Sequence, residues 1–247
     1  MNILTQPIRL DDRPLSARIG LVTLATDHTT EVDFSVLPAR GIGVYATRIP
    51  FANPVTPETL AAMAGDVTAA AALILPDETL EAVVYSCTSA SVVIGDAVVC
   101  DAIRQGKPGT QAITPISAGF AALRTLGADR ISLLTPYTPQ TTAPMAQCFE
   151  VGGFGLQGVS CLNLTDDRAM ARLSHETIID AARAALAPDS QALFIACTAV
   201  RAAGIIDRFE DALGVPVVSA NSATLWAALR ACGHAGVAGP GQLMRLA

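Results

Sequence analysis

Short apolar runs alternate along the chain with longer segments whose apolar residues recur at helical spacing. Eight runs predict β-strands: Ile19–Leu24, Gly43–Arg48, Ala82–Tyr85, Thr110–Thr114, Arg130–Thr135, Phe154–Cys161, Ala192–Ala196 and Val215–Ser219. Seven segments predict helices: Thr56–Leu75, Ala90–Gln105, Ser117–Leu126, Thr141–Val151, Ser174–Ala187, Val200–Leu213 and Ala223–Cys232. This alternation predicts an α/β protein with parallel sheets and right-handed crossovers.

Two of the predicted strands end in nearly the same way. Residues 82–91 read AVVYSCTSAS, and residues 192–201 read ALFIACTAVR. Each segment places a Cys-Thr pair directly after a fully apolar strand, at Cys87 and at Cys197. Ligands bind outside the carboxyl ends of parallel strands, so both cysteines are expected where chemistry takes place.

Further pairs of segments repeat in the same order at a nearly constant separation. Residues 19–23 correspond to 131–135, and residues 120–124 to 226–230. We therefore predict two similar parallel-sheet α/β domains related by a pseudo-two-fold axis, with the active site in the cleft between them. The first domain is predicted to comprise residues 1–116 plus 223–247, and the second residues 117–222.

Composition narrows the functional classes. Of the 247 residues, 51% are hydrophobic, yet no apolar run reaches the ~18 residues that a membrane-spanning helix needs. A net charge of −6 without a basic stripe argues against nucleic acid as a partner. The first residues lack the pattern of a signal peptide, and six cysteines without close-spaced pairs indicate reduced thiols, so a cytoplasmic protein is predicted.

Neither a metal nor an organic cofactor is predicted. The chain has no Cys-x-x-Cys pair and only three histidines, which leaves little to bind zinc. No glycine-rich phosphate loop follows a strand, so no nucleotide cofactor is indicated. The expected partner is a small molecule, and a homodimer or larger homo-oligomer is the default expectation.

Cys87 is a candidate catalytic thiol because it directly precedes a predicted helix. The helix N-terminus is expected to lower the thiol pKa, and the backbone N–H groups of Thr88 and Ser89 are placed to bind a carboxylate. The alternative is an inert buried cysteine at a tight junction. The equivalent position of Cys197, followed by Thr198 and Ala199, favours a paired catalytic role. The other thiols are interpreted as inert: Cys100, Cys148, Cys161 and Cys232.

Two further candidates lie in loops after equivalent strands. Asp27 follows the first strand, where its carboxylate either reaches the cleft or caps the next helix through Thr29 or Thr30. Tyr137 lies between two prolines in the counterpart loop, where its hydroxyl is placed to bind a substrate carboxylate.

On these motifs the chain resembles the aspartate/glutamate racemase superfamily, and within it the branch of maleate cis–trans isomerases, arylmalonate decarboxylases and ectoine-utilisation proteins. The resemblance covers about residues 18 to 235. It implies a cofactor-independent enzyme in which Cys87 and Cys197 act from opposite faces of the substrate, while Tyr137 binds a carboxylate. Arylmalonate decarboxylases keep only the second cysteine, so Cys87 argues against decarboxylation.

The departure from this resemblance lies at Asp27. Maleate isomerases have an asparagine near this position, and an ionised aspartate would repel a second carboxylate of the substrate. The leading hypothesis is therefore a racemase- or epimerase-type isomerase for a small, nitrogen-bearing carboxylate in amino-acid or ectoine catabolism. The alternatives are a maleate cis–trans isomerase with Cys87 as covalent nucleophile and a non-catalytic cytosolic sensor.

Overall fold

The computed structural model describes residues 1–36 and 39–246, which contain two four-stranded parallel sheets. The first sheet consists of β1 (Ala17–Leu24), β2 (Ile42–Ile49), β3 (Ala82–Tyr85) and β4 (Gln111–Ile113). The second consists of β5 (Arg130–Thr135), β6 (Gly155–Cys161), β7 (Ala192–Ile195) and β8 (Val217–Ser219). All eight predicted strands are confirmed, with ends that shift by up to two residues.

The two sheets have the same topology. Their strand orders are β2-β1-β3-β4 and β6-β5-β7-β8, and every neighbouring pair is parallel. The register is equivalent as well, because Ile19 pairs with Ala82 as Ile131 pairs with Ala192. The prediction of two similar parallel-sheet α/β domains is confirmed.

Central strands of parallel sheets are covered on both faces, which explains their continuous apolar sequences. Every residue of β3 and β7 is buried. These are the two strands that precede Cys87 and Cys197, so both cysteines lie at the carboxyl ends of fully buried strands.

The helices are more fragmented than the hydrophobic pattern predicts. They are α1 (Thr30–Ser35), α2 (Pro57–Ala61), α3 (Val67–Leu73), α4 (Thr88–Ile94), α5 (Asp96–Gly106), α6 (Pro115–Thr125), α7 (Pro139–Val151), α8 (Asp167–Met170), α9 (His175–Ala185), α10 (Ile206–Leu213), α11 (Ala220–Ala231) and α12 (Gly241–Arg245). The single predicted helix over 90–105 is wrong, because Gly95, at φ +100°, separates α4 from α5. The predicted helix over 56–75 is interrupted by a 3-10 turn at Ala62–Asp66.

Further differences from the predicted helices lie after Cys197 and in the short helices. The helix predicted over 200–213 begins only at Ile206, after a 3-10 turn at Ala203–Ile205. The short helices α1 and α8 begin where the loops after Asp27 and at 166–168 allow a helix start, whereas the pattern does not predict α12, a segment of five residues with little periodicity.

Helix α11 packs against α6 and against β3 and β4 of the first sheet, and also contacts β8 of the second. The polypeptide that follows the last strand therefore returns to the first sheet. The predicted domain boundaries, between residues 116 and 117 and between residues 222 and 223, stay a prediction. Within residues 1–36 and 39–246, no helix combines the length and the apolar character needed to cross a membrane.

Candidate active site

Cys87 and Cys197 share one buried site at the carboxyl ends of β3 and β7. Each residue is 5% exposed. The two sulfurs are close enough that a charge on Cys87 raises the pKa of Cys197. The Tyr137 hydroxyl interacts with Cys197 and with Ser89, the second residue after Cys87. The structure thus brings together the two thiols and the tyrosine that the sequence singled out.

Cys87 has an extended backbone (φ −150°, ψ 111°) and is the N-cap residue of α4. The backbone N–H of Ala90 donates to its sulfur, and the sulfur lies 3.7 Å from the Ser89 hydroxyl oxygen. The carbonyl oxygen of Cys87 accepts from the Ser91 hydroxyl at 2.7 Å. All these contacts come from the first turn of the helix that Cys87 begins.

Cys197 has a different backbone. Its φ of +81° lies in the left-handed region, which a residue with a Cβ adopts only at a cost. The backbone N–H of Ala199 donates to its sulfur, and the sulfur lies 4.0 Å from the Met170 sulfur of α8. No helix begins at Thr198, so the Ala199 N–H belongs to a turn.

Hydrogen bonds between the two halves hold the cysteine loops together. The Thr198 hydroxyl donates to the Ser86 carbonyl oxygen at 3.0 Å, which joins the two Cys-Thr segments directly. The Thr29 hydroxyl donates to the Ala199 carbonyl oxygen at 3.0 Å. Because these groups are buried, their hydrogen bonds fix the relative position of the two thiols.

The expectation that the helix N-terminus lowers the thiol pKa is wrong for this structure. Burial raises the pKa of Cys87 to about 12, which outweighs the hydrogen bonds from Ala90 and Ser89. Burial also raises the pKa of Cys197, and the negative charge of Asp167 raises it further. Desolvation disfavours the thiolate more than one or two hydrogen bonds favour it. Both cysteines are therefore thiols at neutral pH in this structure.

Tyr137 is buried, with 2% of its surface exposed. Burial raises the pKa of its hydroxyl well above the ordinary value, as do the neighbouring Cys197 and Cys87. The phenol therefore stays protonated and can donate a hydrogen bond inside the site.

Asp27 adopts the helix-capping alternative. One of its carboxylate oxygens accepts from the backbone N–H groups of Thr29 and Thr30 at 2.7 and 2.9 Å. The other accepts from the Thr30 hydroxyl at 2.7 Å. The residue is nonetheless buried near the site, since its charge raises the pKa of Cys87. A contact of Asp27 with substrate stays a prediction.

Thr88 is fully buried, and its hydroxyl oxygen has no hydrogen-bond partner among the described residues. An unpaired buried hydroxyl beside a candidate catalytic thiol is a group that a bound ligand can satisfy. Ser89 and Thr198 are buried too. Within the described part of the chain, no cluster of three or more His, Cys, Asp or Glu residues is arranged to hold a metal ion.

Sequence reasoning missed Asp167 in the site. The run Asp166-Asp167-Arg168 predicts a helix start or a loop cap, and Asp166 does cap α8 through the N–H of Arg168 at 2.9 Å. Asp167 instead points inward, is 6% exposed, and accepts from the Thr26 hydroxyl of the first half at 2.7 Å. Nothing in the local sequence distinguishes the two aspartates, because only the packing of the halves decides which one is buried.

Asn221, at the start of α11, is a second missed residue. Its amide nitrogen donates to the Thr198 carbonyl oxygen at 2.9 Å and to a carboxylate oxygen of Asp33 at 2.7 Å. Burial raises the pKa of Asp33 to about 6, although the hydrogen bond from Asn221 opposes this shift. Asn221 therefore ties the loop after Cys197 to helix α1 of the first half.

Known proteins share this architecture, and their matches extend over most of the chain. The family model described as arylmalonate decarboxylase matches residues 37–244. The chain belongs to the arylmalonate decarboxylase family. Among relatives of this family member, the maleate isomerase of Nocardia farcinica is 29% identical over 243 residues, which cover 92% of this chain and 95% of the relative. The arylmalonate decarboxylase of Bordetella bronchiseptica is 33% identical over 135 residues, 54% of this chain and 56% of the relative.

A solved structure adds a chemical finding about a relative. A cysteine-to-serine mutant of the Nocardia farcinica maleate cis-trans isomerase, with a covalently bound succinylcysteine intermediate, matches this family member with a TM-score of 0.85 and 26% identity. The match covers 93% of this chain and 98% of that one. This arylmalonate decarboxylase family member is therefore an enzyme, and its relatives support a cofactor-independent isomerase.

Proposed function

We propose that the chain is an isomerase that moves a proton at the carbon next to the carboxylate of a small, nitrogen-bearing substrate. The observation that supports it most is the burial of two thiols at equivalent strand ends, beside a protonated tyrosine and two buried aspartates. The paired thiols favour proton transfer from both faces of a substrate, and the acidic surroundings favour a substrate that is not purely anionic.

In the proposed reaction, a thiolate at Cys87 or Cys197 removes the proton from the α-carbon and becomes a thiol. The electron pair of the C–H bond passes into the carboxylate to give an enediolate. The other thiol returns a proton to the opposite face and becomes the thiolate, so atoms and charge balance. Tyr137 and the N–H groups after each cysteine are proposed to stabilise the carboxylate charge that increases in the intermediate.

The test is hydrogen exchange at the α-carbon, followed by proton NMR in deuterium oxide across amino acids, ectoines and unsaturated diacids. Wild-type protein is expected to exchange at least one nitrogen-bearing carboxylate, while Cys87→Ala and Cys197→Ala do not. Cys161→Ala is the matched control, because this thiol at the end of β6 is partly exposed. Absence of exchange across all nitrogen-bearing substrates would overturn the proposal.

The second candidate is cis–trans isomerisation of maleate, favoured by the succinylcysteine intermediate in the relative. A thiolate at Cys87 would add to the double bond, the resulting single bond would rotate, and elimination would restore the thiolate and give the trans product. Loss of maleate and appearance of fumarate, followed by proton NMR, test this reaction. Conversion by wild-type protein without any exchange of amino acids would replace the leading proposal by this one.

The location of the protein in the cytoplasm and its assembly as a homodimer or larger homo-oligomer stay predictions.

A further inference from the structure

Asp167 is a buried carboxylate without a positively charged partner. It is 6% exposed, and among the described residues its side chain accepts one hydrogen bond, from the Thr26 hydroxyl. None of the ion pairs formed within residues 1–36 and 39–246 includes Asp167 or Asp27. A buried, ionised carboxylate is costly unless charge and hydrogen-bond donors compensate it.

The groups that face Asp167 place it in the site of the two thiols. Its charge raises the pKa of Cys197 and of Cys87. Asp27 and Asp166 raise the pKa of Asp167, whereas the exposed His28 lowers it. Burial is the largest cause of the raised pKa of Asp167. Two buried carboxylates and two thiols thus lie close enough for their charges to interact.

The position of Asp167 is fixed from the opposite half of the molecule. Its backbone N–H donates to the side-chain oxygen of Asn53 at 3.0 Å, and its carboxylate accepts from Thr26 at 2.7 Å. Nearby, the N–H of Val55 donates to the carbonyl oxygen of Thr165 at 2.9 Å. These contacts hold the carboxylate at the junction of the halves, in the same short helix as Met170, whose sulfur lies 4.0 Å from the Cys197 sulfur.

We propose that Asp167 is a specificity-determining residue whose carboxylate binds a positively charged nitrogen of the substrate, an ammonium or amidinium group. Such a group supplies both the missing charge and the missing donors. It also offsets the negative charge of Asp167, which adds to the effect of burial in raising the pKa of both thiols, so a cationic substrate would favour formation of the catalytic thiolate. The inference rests on the proposed function for the identity of the reaction, but the charge of the site is measured independently of turnover.

The test compares two thiol reagents of similar size and opposite charge, 2-aminoethyl and 2-sulfonatoethyl methanethiosulfonate. Modification of Cys87 and Cys197 is followed by peptide mass mapping. Both reagents require the same thiolate, so the ratio of their rates cancels differences in thiol pKa and in access. We expect Asp167→Asn to lower the cationic-to-anionic rate ratio by about threefold to tenfold, as loss of one nearby charge predicts.

Asp166→Asn is the matched control. It removes the neighbouring charge, which is partly exposed and paired with Arg168 at 2.9 Å. Its rate ratio should equal that of wild type. Asp167→Ser is the second variant, since it also removes the charge and keeps a hydrogen-bonding oxygen if the asparagine variant folds poorly. A ratio unchanged by both Asp167 variants would overturn the proposal and leave Asp167 as a contact between the halves.

A substrate experiment separates this inference from the proposed function. Aspartate and malate differ by an ammonium group in place of a hydroxyl, and their α-proton exchange is compared in wild type and Asp167→Asn. A wild-type preference for aspartate that falls about tenfold in the variant supports the assignment. If wild type and Asp167→Asn exchange aspartate and malate with the same preference, the assignment of Asp167 is overturned while the proposed function stands. If wild type exchanges neither compound, the reagent ratio alone decides the role of Asp167.

Discussion

The loops after Cys87 and Cys197 have nearly the same sequence but different structures. Cys87 has an extended backbone, and its loop is held by its own helix through Ser91 and Ala90. Cys197 has a left-handed backbone, and its loop is held by Thr29 and Asn221, from other parts of the chain. The two halves therefore place their sulfurs at the same position relative to their sheets, but different contacts stabilise the two loops. We expect the Cys197 loop to depend on contacts between the halves and the Cys87 loop to be locally stable.

The largest effect should follow removal of either sulfur. Cys87→Ala and Cys197→Ala are each expected to lower isomerase activity by about 10³-fold or more, because general acid–base groups contribute about 10²–10⁴-fold. Both variants should keep the far-ultraviolet circular dichroism of wild type, since alanine fills most of the small thiol site. If one variant retains full activity, the two loops are not functionally equivalent and the two-thiol mechanism is wrong.

The second prediction uses Asp33, which contacts Asn221 and so supports only the Cys197 loop. Its pKa of about 6 in the folded state exceeds the ordinary 3.8, so folding disfavours the ionised form. That destabilisation is absent below about pH 4, develops between pH 4 and 6, and is complete above pH 6. Asp33→Asn should thus raise the free energy of unfolding at pH 7.5 by up to about 3 kcal/mol, at about 1.4 kcal/mol per pKa unit.

Urea unfolding at pH 7.5 and at pH 4 measures this difference. Asp189→Asn, at an exposed position, is the control and should change neither value. An equal effect of Asp33→Asn at both pH values would show that the hydrogen bond from Asn221, and not the carboxylate charge, governs the result.

These contrasts show what the sequence could predict. The strands and the positions of both cysteines follow from continuous apolar runs, because a buried parallel strand constrains every one of its residues. The backbone of Cys197 and the inward position of Asp167 could not be predicted. They depend on packing between segments more than a hundred residues apart, as in the contact of Thr26 with Asp167. The sequence allows Asp27 to be either a helix cap or a cleft residue, and in the structure its carboxylate caps the helix through the N–H groups of Thr29 and Thr30.

The third prediction compares the threonines that follow the two cysteines. Thr198→Val removes the hydrogen bond to the Ser86 carbonyl oxygen and should lower the free energy of unfolding by about 1–2 kcal/mol. Thr88→Val removes a buried hydroxyl that has no partner among the described residues, so it should be neutral or slightly stabilising. Urea unfolding of both variants tests the pair. Equal losses would mean that the Thr88 hydroxyl has a partner, such as an ordered water.

The smallest effect tests the backbone difference itself. At φ +81°, glycine avoids the cost of about 1–2 kcal/mol that a Cβ incurs in the left-handed region, so Cys197→Gly should be more stable than Cys197→Ala by about 1 kcal/mol. At φ −150°, glycine gains nothing and loses more chain entropy on folding, so Cys87→Gly should be less stable than Cys87→Ala by about 0.5–1 kcal/mol. Because each comparison is made against alanine at the same position, the loss of the sulfur cancels, and urea unfolding reports the backbone alone. Opposite signs would establish that twin sequence motifs reach the site through different backbone conformations, and the same sign at both positions would contradict it.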